Sequence, residues 1–159
     1  MPNRVLRWLA AARIYVGCVW FAYGTSKFEP GWARTEFLSA VKDCVAHASG
    51  PMHAFLIDVV VPNQGTFAWL IACGETLLGV ALILGLFTKA GAIGGMFLSL
   101  NYFLATGQYK SRLGLESLEL MLFAFSLLLL ALPSARAFSI DSVLHRIRSR
   151  RSPQATFHA

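Results

Sequence analysis

Four apolar runs alternate with shorter polar segments along the chain. The least interrupted is residues 67–87, FAWLIACGETLLGVALILGLF, with a single charge, Glu75, near its middle. A bilayer hydrocarbon core about 30 Å thick is crossed by about 20 helical residues, so this run predicts a membrane-spanning helix. An ionised carboxylate in lipid costs several kcal/mol, which requires Glu75 to face protein, pair with a cation or carry a proton. The same pattern predicts three further spans, over residues 6–27, 90–106 and 116–132, the last stopped by Pro133.

Small and polar residues recur inside these spans at helical spacing. In the first, Arg13, Trp20 and Lys27 lie seven apart with Gly17 and Gly24 between them. All five share one stripe of a helix, which suits a face packed on other helices. Arg13 interrupts the run, and the small residues Ala10 to Ala12 precede it, so the segment reads as a retained span and not as a cleaved signal peptide. In the third span Gly91, Gly95 and Ser99 recur every four residues, a stripe that lets backbones approach closely in lipid. Asn101 and Tyr102 are its polar members. The fourth carries Glu116, Glu119, Phe123 and Ser126 on one face. The turn between the second and third spans is short enough to make them antiparallel neighbours.

Residues 29–66 are punctuated by Pro30, Gly31, Gly50, Pro51 and Pro62. Thr35 is placed to cap a short helix with Phe37, Leu38, Val41, Cys44 and Val45 at helical spacing. Pro51 is placed to start a second, with Phe55, Leu56, Val59 and Val60 apolar. Both lie on the bundle mouth, as a shield from water or as a substrate lid. Beyond Ala135, Ile140, Val143, Leu144 and Ile147 recur at i, i+3, i+4 and i+7 and are flanked by Arg146, Arg148, Arg150 and Arg151. This predicts a basic interfacial helix against anionic lipid. The expected fold is all-α. Residues 1–134 form an integral membrane four-helix bundle with short interfacial helices between spans 1 and 2, and residues 135–159 form a basic amphipathic C-terminal tail.

Composition agrees. Hydrophobic residues make up 56% of the 159 residues before Gly is counted, and charged residues 14%. Soluble domains show about 45–50% with Gly included and about 25%. The mean hydropathy is +0.57. The net charge of +6 is spread over the chain ends and short loops, which fits topology signals and offers no surface for nucleic acid. With both termini inside, Arg4, Arg7, Lys89, Arg136 and the four tail arginines are cytoplasmic, against Lys27, Arg34, Lys42, Lys110 and Arg112 outside. The excess predicts an N-in, C-in multi-pass protein of a bacterial or archaeal cytoplasmic membrane. Cys18 and Cys73 lie in apolar runs and Cys44 in a polar segment. None forms a C-x-x-C, so neither a disulfide framework nor a catalytic thiol is expected.

Counting rise along each span from the cytoplasmic edge places Asn101, Glu75, Glu119 and Tyr23 at about 16, 18, 20 and 22 Å, with Arg13 about 9 Å below and Lys27 at the outer lip. Two readings follow. Arg13 and Glu75 form a structural pair that fixes helix register, or the carboxylates form a proton or quinone site, since intramembrane ionisable residues are functional candidates. Trp8, Trp20, Trp32, Trp69 and Tyr102 read mainly as interface or packing groups, with room for one or two to line the slot of a ring-shaped ligand. Haem is not expected, because His47, His53, His145 and His158 all lie outside the spans, and no metal-ligand spacing is present.

These residues resemble the DoxX/DoxD family of small four-helix membrane proteins. The resemblance rests on Arg13 followed by Tyr23-Gly24-x-x-Lys27 and Gly31-Trp32, on the run from Gly74-Glu75-Thr76 to Leu86-Phe87-Thr88, on Asn101-Tyr102, and on Ser139-Ile140-Asp141. The chain departs from the longer DoxD pattern at Pro51-Met52-His53-Ala54-Phe55-Leu56, where those members carry WY-x-x-FL. The resemblance implies the small subunit of a membrane thiosulfate:quinone oxidoreductase, or a membrane partner in thiol and oxidative-stress complexes. On that analogy Arg13 and Lys27 attract an anion, while Glu75, Asn101 and Glu119 serve the quinone or its protons. Glu75, Glu119 and Arg13 are then the catalytic candidates, and Lys27, Asn101, Tyr23 and Trp32 the substrate-binding ones. Three functions stay open: a quinone-linked redox subunit working with a partner subunit or as a homo-oligomer, a non-catalytic anchor for a redox or stress enzyme, and, less favoured because no broken helix marks a midplane site, a solute carrier.

Overall fold

The computed structural model describes residues 3–110 and 117–132. The helices are α1 (Asn3–Ser26), α2 (Glu36–His47), α3 (Pro51–Phe55, continued by a π-helical turn over Leu56–Val60), α4 (Gln64–Leu84), α5 (Thr88–Ala105) and α6 (Leu118–Ala131). Helices α1, α4, α5 and α6 fall on the four predicted spans. α1 packs along α4 and α5 along α6, and contacts of α4 with α5 and α1 with α6 close the bundle. Among the described residues, α1 and α4 are long and apolar enough to cross a membrane. Glu116, the domain boundary at 134 and the basic tail lie outside the described residues.

Glycine sets the α1–α4 seam. A Cβ added at Gly17 would lie 2.8 Å from the Ile83 nitrogen, one at Gly24 2.5 Å from the Thr76 nitrogen, and one at Gly79 2.4 Å from the Phe21 nitrogen. Each step up α1 is thus matched by an equal step down α4 (17 with 83, 21 with 79, 24 with 76), the signature of an antiparallel pair in constant register. Backbones this close gain dispersion contacts and lose little side-chain entropy, which drives helix association in lipid. Gly85 then ends α4 in the left-handed region at φ 64°. Its N–H and that of Leu86 return to the Leu82 and Ala81 carbonyls, and α5 begins three residues later. Across α5, Gly91 meets Leu82 and Gly95 meets Ser126 of α6.

The segment between α1 and α4 forms an outer layer. Phe37, Val41, Ala48, Leu56 and Val60 pack over Ala68 of α4 and Ala105 of α5. Pro51 opens α3, as its fixed φ favours. Thr35 does not cap α2. Its own backbone is already helical, and its hydroxyl donates to the Gly31 carbonyl at 3.0 Å, one turn back.

The distribution of side chains is that of a chain whose solvent is lipid. Arg13, Glu75, Thr88, Ser99 and Ser126 are buried, while Trp8, Tyr15, Trp69, Leu77, Phe97 and Leu128 are exposed. A water-soluble bundle places these groups the other way round.

The seam makes a direct prediction. Gly24→Ala and Gly79→Ala each force α1 from α4 and are expected to destabilise the micelle-solubilised protein by about 1–3 kcal/mol. Gly74→Ala, where an added Cβ meets nothing within 4 Å, should be neutral or stabilising. Thermal unfolding followed by circular dichroism checks both.

Candidate functional site

Lys27 follows immediately after α1 and sits where the seam delivers it, above Glu75 of α4. Its ammonium pairs with both carboxylate oxygens of Glu75. Tyr102 of α5 donates its phenol proton to the same carboxylate, and Lys27 Nζ lies 3.3 Å from the Tyr102 oxygen. Two aromatic rings flank the ammonium, Tyr102 with its centroid 5.4 Å away and Trp32 at 5.7 Å. Glu75 is 1% exposed and the Lys27 side chain 15%. A carboxylate at this depth is tolerable because it is paired and hydrogen-bonded.

The network lies on the boundary between two apolar cores. Below it Val16, Trp20, Leu78, Leu82, Ala92, Leu122 and Leu129 form one cluster, and above it the outer layer forms the other. On the network's bundle side opens a cavity of about 200 Å³ between α1, α4, α5 and α6. It is lined by Lys27, Glu75 and Tyr102 together with Trp20, Tyr23, Ser99 and Glu119. On the outer side a second cavity of about 280 Å³ is formed by residues 27–34 against Ala68, Trp69 and Ala72. Lys27 is a wall of both. Glu119 is half-buried and has no ion-pair partner among the described residues.

A family model described as DoxX matches residues 8–108. The chain belongs to the DoxX family. No curated protein and no solved structure matches it. The matched segment of this DoxX membrane protein holds Lys27, Glu75 and Tyr102, and Glu119 lies beyond it.

Of the residues singled out in the sequence, Glu75, Glu119, Tyr23 and Lys27 meet at one cavity, and Trp32 stands against the Lys27 ammonium from the outer side. Two expectations are corrected. The cation on Glu75 is Lys27, not Arg13. The α1–α4 register sets Glu75 level with Thr25, and Arg13 lies twelve residues, about 18 Å, back along α1 from there. Arg13 is fully buried there, at the opposite end of the seam. Asn101 does not join the network either. Its amide donates to the Phe97 carbonyl of its own helix at 2.7 Å. The neighbouring Tyr102, read from sequence as a packing aromatic, takes that place. The signal that marks it is the α5 stripe itself, since Tyr102 follows Gly91, Gly95 and Ser99 on the buried face.

The three cysteines are free thiols. Burial first, and the Asp43 carboxylate second, push the Cys44 thiol above its ordinary range. Because the thiolate is the nucleophile, Cys44 should react slowly with iodoacetamide at neutral pH. In a chain carrying Cys18→Ala and Cys73→Ala, its alkylation rate should keep rising with pH where an exposed peptide thiol has already levelled off.

Removing Lys27 leaves Glu75 buried without its cation. Lys27→Met is therefore expected to destabilise the protein by about 3–5 kcal/mol, and adding Glu75→Leu should recover most of that loss. A double-mutant cycle on unfolding in mixed micelles reads the coupling.

Proposed function

We propose that this DoxX protein is a quinone-linked subunit of a membrane redox complex. The quinone headgroup occupies the 200 Å³ cavity beside the Lys27–Glu75–Tyr102 network. The observation that carries this reading is the cavity itself. It joins a buried, already paired carboxylate, a phenol, an ammonium and a second carboxylate, Glu119, in a small space walled by aromatic rings. Such a site can hold a carbonyl oxygen with a positive charge and exchange protons with it as electrons arrive. Reduction of one quinone takes two electrons and two protons. Lys27 stands at the oxygen to stabilise added negative charge, and Glu119 is placed to pass protons. The electrons come from a partner subunit oxidising a sulfur anion, as when two thiosulfates join to one tetrathionate and release two electrons. All four long helices cross the bilayer, with both termini inside and the Lys27 end of the bundle toward the outer leaflet.

Quinone binding by the full chain in lipid nanodiscs tests this without the partner. A short-chain ubiquinone is expected to bind, and Glu75→Gln should weaken it by about tenfold or more, because the carboxylate that holds the Lys27 ammonium beside the cavity is lost. Quinone reduction with thiosulfate as donor, in the assembled complex, should disappear in Glu75→Gln while the protein remains folded and inserted. Full turnover in that variant would remove the idea.

A second reading, a non-catalytic anchor, is favoured by the exposed Phe55, Ile57, Val59 and Val61 on the outer layer. Polar substitution there should release a docked enzyme and leave quinone binding unchanged if both roles coexist.

A further inference from the structure

The first turns of α1 carry two arginines that no carboxylate of the described residues answers. Arg4 and Arg7 are exposed and make no ion pair among those residues. The sequence offers little to neutralise them. No Asp or Glu precedes Glu29, Lys89 stands in the first turn of α5 at the same end of the bundle, and residues 135–159 hold five arginines and one aspartate. Arg4, Arg7, Trp8 and Ala11 recur at i, i+3, i+4 and i+7, on one face of α1, and line one open hollow there. Trp8 is 76% exposed in it.

Two distances place this hollow at the membrane surface. Gly17 faces Ile83, one residue before α4 ends at Leu84. Arg7 and Arg4 lie ten and thirteen residues further back along α1, about 15 and 20 Å, so both project past the end of α4. In the other direction, Arg7 is nineteen residues from Ser26, the last residue of α1, about 29 Å. That is the thickness of the hydrocarbon core. With Ser26 at one lipid boundary, Trp8 and Arg7 stand at the other and Arg4 among the headgroups. An indole favours that boundary. A guanidinium there meets phosphate, which its planar fork binds through two parallel hydrogen bonds. We propose that Arg4, Arg7 and Trp8 bind the phosphate group of one anionic phospholipid, in the leaflet at the N-terminal end of the bundle, with the indole resting on the glycerol backbone. A zwitterionic lipid fits less well, because its own ammonium would stand among the cations of this end. The site is about 30 Å from Lys27 and does not rest on the quinone reading.

Native mass spectrometry of the full chain in detergent micelles, titrated with phosphatidylglycerol or phosphatidylcholine of the same acyl chains, tests this. One phosphatidylglycerol should be retained per chain, more tightly than phosphatidylcholine. Arg4→Ala and Arg7→Ala should each weaken it about fivefold, the scale of one cation at an anionic lipid surface. Trp8→Ala should weaken both lipids. Replacing Arg148, Arg150 and Arg151 of the tail together by Ala should leave this first lipid in place. Arg4 and Arg7 are exposed and a micelle imposes no orientation, so the loss reads binding and not folding or topology. The pair Arg4→Lys and Arg7→Lys keeps the charge without the fork and should fall between the wild type and the alanine variants. Glycerol 3-phosphate at millimolar concentration should not displace the lipid, and displacement would make this a site for soluble phosphate esters and overturn the lipid assignment. Equal retention of the two lipids, loss of the first lipid in the tail variant, or undiminished phosphatidylglycerol in the Arg4→Ala, Arg7→Ala double variant would overturn the site itself.

Discussion

The ion pair between Lys27 and Glu75 is the constraint around which the bundle is arranged. A carboxylate in the middle of an otherwise apolar helix has to be neutralised where the helix lies. The lysine that does this comes from a different element, so the pair also ties the end of α1 to the middle of α4. Tyr102 brings in α5 by donating to the same carboxylate. Three helices therefore meet at one charge. The two apolar cores lie to either side of it, and neither has to accommodate the charge.

Placing Lys27 depends on the glycine seam. The backbone contacts at Gly17, Gly24 and Gly79 fix both the distance between α1 and α4 and their register. Gly24 contacts Thr76, next to Glu75, and Lys27 follows Gly24 by three residues, so the seam itself brings the ammonium over the carboxylate. A slip of one turn along α1 would displace Lys27 by about 5 Å and leave Glu75 facing apolar side chains. The small residues and the ion pair thus serve one purpose. The first allows close approach, and the second penalises every register but one.

Much of this was legible in the sequence because the helical period is strict. The stripe Arg13, Gly17, Trp20, Gly24, Lys27 is the face of α1 that packs, and Gly91, Gly95 and Ser99 are buried on α5 as their spacing implies. The positions of the four long helices followed from run length. What failed was depth across different helices. A separate edge for each span carries an uncertainty of a few residues, enough to bring Arg13 close to Glu75. The true register, set by backbone contacts between glycines, puts it about 18 Å away. The length of the lysine side chain misled in the opposite sense, because a residue counted at the lip reaches down into the bundle. The choice of Asn101 over Tyr102 was an error of one position, which on a helix is a rotation of about 100°. The amide looked like the better polar group, but it satisfies itself on its own helix, while the phenol is long enough to cross to α4.

The cavity beside the network owes its character to the same pair. Glu75 is engaged, accepting from Lys27 and Tyr102. Glu119 lines the same space with no ion-pair partner among the described residues. Trp20 Nε1, Ser99 Oγ and Ser126 Oγ are buried without hydrogen-bond partners among the described residues. In a bundle surrounded by lipid, no bulk water stands ready to satisfy them, so their cost falls on the fold. The engaged carboxylate holds three helices together against that cost.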